Sequence, residues 1–195
     1  MVQQVKEATE RPLTRQEALA LRNKRTLVTV FQISWIMVFV CLVIVCLQIR
    51  STIQDLPTLT PVQFFPPLLA TAAILISGWT AHQGVQAVRT GERDTFLVQW
   101  RYTLVLGGAF LAVMMAIFFF NPYVGIPQYG AIFRVMIGYH AIHALVIGGW
   151  MLQVYRNAQA GAYTPRDYWG VEAAAKLWYF VIIAWILFYV VLFLV

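Results

Sequence analysis

Hydrophobic residues along this chain fall into five long blocks, at 27–49, 61–88, 102–120, 129–152 and 171–195, separated by polar connections. A helix needs about 20 residues to cross a hydrocarbon core of ~30 Å. Each block meets or closely approaches that length. The first two carry no Asp, Glu, Lys or Arg, and Pro66 and Pro67 lie near the start of the second. The fourth contains Arg134, His140 and His143. Strands of a membrane barrel would alternate apolar and polar residues. None of the blocks does, and a helix is the other way to satisfy a backbone surrounded by lipid. The pattern predicts an all-α integral membrane protein, a bundle of five transmembrane helices over 27–195 behind a polar segment at 1–26.

The connections set the orientation. Lys6, Arg11, Arg15, Arg22, Lys24 and Arg25 precede the first block. Arg89, Arg93 and Arg101 fall between the second and third, and Arg156 and Arg166 between the fourth and fifth. On the other side Arg50 stands almost alone, and the connection at 121–128 is uncharged. Lys and Arg concentrate in cytoplasmic loops. The N-terminus is therefore expected in the cytoplasm and the C-terminus outside. Thr14 followed by Glu17 has the form of a capping box. It predicts a short surface helix at about 15–25, the alternative being a loosely ordered cytoplasmic tail.

Composition narrows the class. The 195 residues are 61% hydrophobic and only 11% charged, and mean hydropathy is +0.70. Soluble domains are about half apolar and about a quarter charged. Soluble, disordered and disulfide-scaffold readings therefore fail. The net charge of +6 is spread over the termini and loops, without the clustered stripe that nucleic acid requires. Cys41 and Cys46 are five apart in an apolar block, so they form no C-x-x-C motif and are expected to be buried structural thiols. The first 26 residues are polar and the next block is too long for a signal h-region, so no cleavable signal is expected.

Candidate chemistry starts from three histidines. His140 and His143, three apart, share a helix face near mid-membrane, where ionisable groups are costly. They are expected to hydrogen bond between packed helices or to form a proton-handling or lipid-headgroup site. His82 lies toward the cytoplasmic end of the second helix. At 1.5 Å per residue it is roughly 30 Å below its helix start, against roughly 17–21 Å for His140 and His143 on the parallel fourth helix. That mismatch opposes an intrachain bis-histidine haem. Glu172 and Lys176 suit an i,i+4 pair at a helix start, and Glu172 could instead reach His143. Arg134 is expected to snorkel to the outer interface. Tryptophans near helix ends would anchor at the interfaces. The small residues at 70–73, 107–108, 148–149 and 173–175 would let helices approach closely. No phosphate-cradling loop, nucleophile–base pair or carboxylate pair appears.

Four segments go further. Tyr129-Gly130 followed by Gly138-Tyr139-His140-Ala141-Ile142-His143 resembles the Y-G…G-[FY]-H-G-x-H segment of subunit III of haem–copper oxidases. Val171-Glu172-Ala173-Ala174-Ala175, then Trp178, Phe180-Val181, Trp185 and Tyr189, is similar to that family's F-E-A-A-A helix. Pro67-Leu68-Leu69-Ala70-Thr71, Ser77-Gly78 and Thr80-Ala81-His82 resemble its P-L-L-N-T…S-G…W-A-H helix, and Gly107 and Phe110 its L-G-x-x-F. There are departures. If Arg50 is aligned with the family's arginine, Ser34-Trp35 stands where the family has an S-E pair. Met114 and Ile117 replace a Gln and a Glu, and Tyr179 and Ile182 replace a His and an Asp.

The resemblance implies the five-helix bacterial form of the subunit, in the plasma membrane. It implies a non-catalytic part of a proton-pumping terminal oxidase, stabilising subunit I and retaining phospholipid. Partners would be subunits I and II, which would hold the haem and copper, with no cofactor in this chain and no nucleic acid. His82, His140, His143 and Glu172 would be structural, lipid-related or proton-related. Quinol-oxidase and nitric-oxide-reductase accessory subunits share the family. A small proton or ion transporter and a membrane b-type cytochrome are the competitors from other classes.

Overall fold

The computed structural model describes residues 14–54, 57 and 59–194. Lys6 and Arg11, part of the basic N-terminal run, and Val195 lie outside the described residues. Five helices follow in order: α1 Arg15–Ser51, α2 Pro61–Thr90, α3 Arg93–Phe119, α4 Pro127–Gln159 and α5 Trp169–Tyr189. A π-helical turn, Val190–Leu194, carries α5 on. All five are long and apolar enough to cross a membrane, and the described residues contain no strand.

The helices outrun their apolar blocks. The Thr14–Glu17 capping box is present, with Thr14 N–H donating to Glu17 Oε2 at 2.8 Å and Glu17 N–H to Thr14 Oγ1 at 3.3 Å. It starts a helix that enters the first span without a break. The expected surface helix and the first transmembrane helix are thus one element. Helical hydrogen bonds are satisfied internally whether side chains are polar or not, so a charge at the membrane surface does not end a helix. Between α2 and α3 the break is short: Gly91 takes φ +82°, a left-handed cap that favours glycine.

The bundle is built around α5, the most buried span. It packs on α1, α2 and α4, while α3 pairs with α2 and α4. α1 and α2 both flank α5 and scarcely meet. α1 is the least buried span, with Leu27, Ile33, Met37 and Ile44 among its exposed apolar residues.

Three expectations are corrected. Cys46 is buried, but Cys41 is exposed on the outer face of α1. Trp100, Trp178 and Trp185 are not interfacial anchors; they are buried in the core. Each indole N–H finds a buried acceptor: Met151 O for Trp100, Ser77 Oγ for Trp178 and Thr71 Oγ1 for Trp185, at 2.9–3.0 Å. A buried indole needs such a partner. The small residues also divide. A Cβ on Gly107 would come within 2.7 Å of the Trp178 ring, so this glycine does permit close packing. Gly108, Gly148 and Gly149 have nothing within 4 Å. They line an open groove of about 330 Å³ between α3 and α4, floored by Trp178.

Candidate functional site

Two regions gather the chemistry-bearing residues: a mid-bundle aromatic core and a polar pocket at the basic end.

The core draws on all four motif segments. Trp178 and Trp185 on α5 donate to Ser77 and Thr71 on α2. Phe110 of α3 stands edge-on to Trp185 at 5.2 Å. His140 of α4 lies 5.6 Å from Trp185 and 5.7 Å from Phe110. The motif residues are therefore contacts of one another, which is a packing reason for their joint occurrence. Thr80 and Thr103 share a 2.8 Å hydrogen bond between α2 and α3.

Neither α4 histidine makes the expected hydrogen bond between helices. His140 is fully buried among Phe39, Phe110, Trp185 and Phe188. Its ring nitrogens have no hydrogen-bond partner among the described residues. His143 turns back on its own helix, and Nδ1–H donates to the Tyr139 carbonyl at 2.6 Å. A carbonyl only accepts, so this bond places the proton on Nδ1. The Trp35 ring lies 4.4 Å from the His143 ring. The side chain standing where the family pattern has an acid thus meets His143 through an aromatic edge.

The pocket at the basic end, of about 110 Å³, is lined by His82, Gln86 and Arg89 of α2 and Glu172, Lys176 and Tyr179 of α5, among others. His82 is exposed, and its Nε2 accepts from the Gln86 amide Nε2 at 3.4 Å. Glu172 is not paired with His143. Its carboxylate holds Arg25 of α1 at 2.8 Å and Lys176 at 3.2 Å. Gln32 of α1 donates to the Lys176 carbonyl at 3.0 Å. Glu172 and Gln32 together tie the basic end of α1 to α5. Arg89 lies over the Tyr168 ring at 5.7 Å. The i,i+4 pair was legible in the sequence; Arg25 and Arg89 counted there only as topology-setting charges and Tyr179 only as a departure from the family pattern, and Gln32 was not singled out. The usable signal was spacing: 82, 86 and 89 share a face of α2, as 172, 176 and 179 do on α5.

Glu172→Ala should therefore loosen α1 at this end. Both cations are still two-fifths or so exposed, so the loss is on the order of 1 kcal/mol. Cysteine cross-linking rates between α1 and α5 in detergent would read it; an unchanged rate would sink the latch.

The three histidines line no common cavity: His82 sits in the pocket, His140 in the aromatic core and His143 against Tyr139 and Trp35. They do not fit a haem held between two of them. Among the described residues no three His, Cys, Asp or Glu side chains converge in a way that could hold a metal ion. At the opposite end, Asn121 Nδ2 donates to the Gly130 carbonyl and Tyr123 N–H to Asn121 Oδ1, both at 2.9 Å. Arg50 donates to the Tyr129 hydroxyl at 3.3 Å. Burial, with Tyr129 adding to it, pushes the Tyr123 phenol up to about 12, so it stays neutral.

Comparison with known proteins gives one consistent picture. Residues 22–195 match the family described as Cytochrome c oxidase subunit III. Cytochrome c oxidase subunit 3 of Carassius auratus is 33% identical over 135 residues, 68% of this chain and 51% of the relative. The Danio rerio protein of that name is 34% identical over 137 residues, 69% of this chain and 51% of the relative. The Branchiostoma lanceolatum protein is 33% identical over 129 residues, 65% of this chain and 49% of the relative. The chain spans about half the length of the curated relatives it matches.

Proposed function

Because the chain belongs to the cytochrome c oxidase subunit III family, we propose that it is the non-catalytic structural subunit III of a proton-pumping haem–copper terminal oxidase. In this reading subunits I and II carry the haem and copper. This chain supports the flank of subunit I and retains phospholipid there. The observation that carries the reading is the family match over 22–195, whose motif residues meet one another in the aromatic core.

The basic end, where α1 begins, faces the cytoplasm of a bacterium, and the complex sits in its plasma membrane. Positive-inside placement supports this orientation. His140 and His143 act as packing groups, consistent with the aromatic shell of the first and the own-helix hydrogen bond of the second. Glu172 acts as the latch for α1. The exposed apolar face of α1 is offered to helices of a neighbouring subunit or to lipid.

The test is a tagged pull-down from native membranes in mild detergent, with an optical spectrum and oxygen uptake on the eluate. Co-elution of larger haem-bearing subunits and cyanide-sensitive oxygen reduction is the expected result, and adding cytochrome c or a quinol separates the oxidase types. A colourless single chain, obtained where other complexes survive, would overturn the reading. Within the same preparation, replacing His140 and His143 together with Phe should leave the haem content unchanged; loss of a haem would end the non-catalytic assignment.

A further inference from the structure

The pocket at the basic end continues into a longer amphipathic groove. On α5, Glu172, Lys176, Tyr179, Ile183 and Ile186, continued by Val190 of the π-helical turn, recur at spacings of three and four, each exposed or half-buried. On α2 the exposed residues Leu75, Trp79, His82, Gln86 and Arg89 recur in the same way. Both stripes change character at the same end: polar and cationic toward the basic loops, apolar above. Ile183 is 61% exposed and Trp79 60%, so the apolar part is open rather than filled by the bundle.

The charge at the polar end is unbalanced. Arg89 and Lys176 line the pocket with a single carboxylate, Glu172, which Arg25 also engages. Among the described residues Arg89 has no carboxylate partner; it lies over the face of Tyr168. Arg101, Arg93 and Arg156 add further positive charge to this end and Asp94, Glu92 and Asp167 oppose it, none of them lining the pocket. Two cations, an exposed imidazole, an amide and a phenol around a small cavity, with an apolar track leading away along the membrane normal, complement a phosphate group with a hydrocarbon chain attached.

We propose that the α2–α5 groove holds one phospholipid, its phosphate at Arg89 and Lys176, its headgroup beside His82, Gln86 and Tyr179, and an acyl chain along Trp79 and Ile183. This deepens the lipid-retaining reading above and rests on it. Glu172 has a positioning role here, orienting Lys176 while securing α1.

Native mass spectrometry of the full chain, stripped of lipid and supplied with phosphatidylglycerol or phosphatidylcholine, tests the site. One phosphatidylglycerol should bind the wild type about thirtyfold more tightly than phosphatidylcholine, since each of the two basic side chains near a membrane surface favours anionic lipid by about 1 kcal/mol. R89Q/K176Q should weaken that binding about thirtyfold and R89Q alone, which breaks no recorded ion pair, about fivefold. K24Q/R101Q, removing two charges elsewhere at the same end, should leave it unchanged. Helical circular dichroism confirms that each variant is folded. Equal binding of the two lipids, wild-type binding by both Arg89 variants, or an equal loss in K24Q/R101Q would overturn the proposal. So would an R89Q/K176Q chain that keeps its lipid but no longer captures haem-bearing subunits, which would make this face a protein interface. A wild-type chain that captures none of those subunits counts against the oxidase reading instead, and the two failures are read in separate experiments.

Discussion

Trp185→Ala should lower the stability of the bundle by about 3–5 kcal/mol, the range for deleting a fully buried large aromatic side chain. Trp185 is completely buried and touches each of three other helices. It donates to Thr71 of α2 at 2.9 Å, stands edge-on to Phe110 of α3 at 5.2 Å and packs on His140 of α4 at 5.6 Å. Removing it opens a cavity where four helices meet and strips the only aromatic neighbour common to Phe110 and His140 on α5 itself. Trp185→Phe isolates the hydrogen bond. It keeps most of the ring and leaves Thr71 Oγ1, which also donates to Pro67 O at 2.7 Å, without the indole N–H. That variant should cost about 1 kcal/mol. Unfolding of both proteins in mixed micelles by rising dodecyl sulfate fraction gives the comparison. A Trp185→Ala protein that unfolds with the wild type would remove the central role assigned to this residue.

Gly130→Ala should be nearly as damaging, for the opposite reason. A Cβ here would come within 2.5 Å of the Tyr123 carbonyl oxygen and 3.2 Å of Asn121 Nδ2. The first obstacle is backbone and has no rotamer to yield. Relief requires the 121–126 turn to move, and that turn is held by Asn121 through its bonds to Gly130 O and Tyr123 N–H. Overpacking of this kind costs about 1–3 kcal/mol, and a buried amide left without its partner costs about as much again. Gly108→Ala supplies the internal control. Nothing lies within 4 Å of its Cβ position, and Ala is favoured over Gly in a helix by about 1 kcal/mol. It should be neutral or slightly stabilising in the same titration. Equal effects at the two glycines would mean that the Tyr123 contact does not constrain Gly130.

The number of spans and their type were legible because a backbone in lipid leaves few options, and five uncharged or nearly uncharged blocks of the right length admit one reading. Which side of each helix faces the core was not legible. In a soluble helix the polar stripe marks the outside. Here lipid-facing and core-facing residues are equally apolar, so Cys41 and Cys46, or Trp79 and Trp185, look alike in sequence and differ only in the bundle. The start of α3 was missed for a related reason: Arg93, Asp94 and Arg101 signal a loop although the backbone there is already helical, whereas the capping box marked the start at Arg15. Glu172 was found, since it opens a motif and has Lys176 four residues on. Its strongest partner, Arg25, lies 147 residues away, and local spacing says nothing about such a pair.

The position of α5 at the centre of the bundle also bears on biosynthesis. It follows α1 to α4 in the chain, yet it supplies the indoles that meet Ser77 and Thr71 and the ring that covers His140. The short turn at Gly91 lets α2 and α3 enter the membrane together as a hairpin, but α1 has no helix to latch onto at its basic end until Glu172 arrives. Until α5 is in place, Ser77 and Thr71 lack the indoles, and His140 the ring, that cover them in the bundle. Insertion of α5 is thus the step that lets the other four helices close into one bundle.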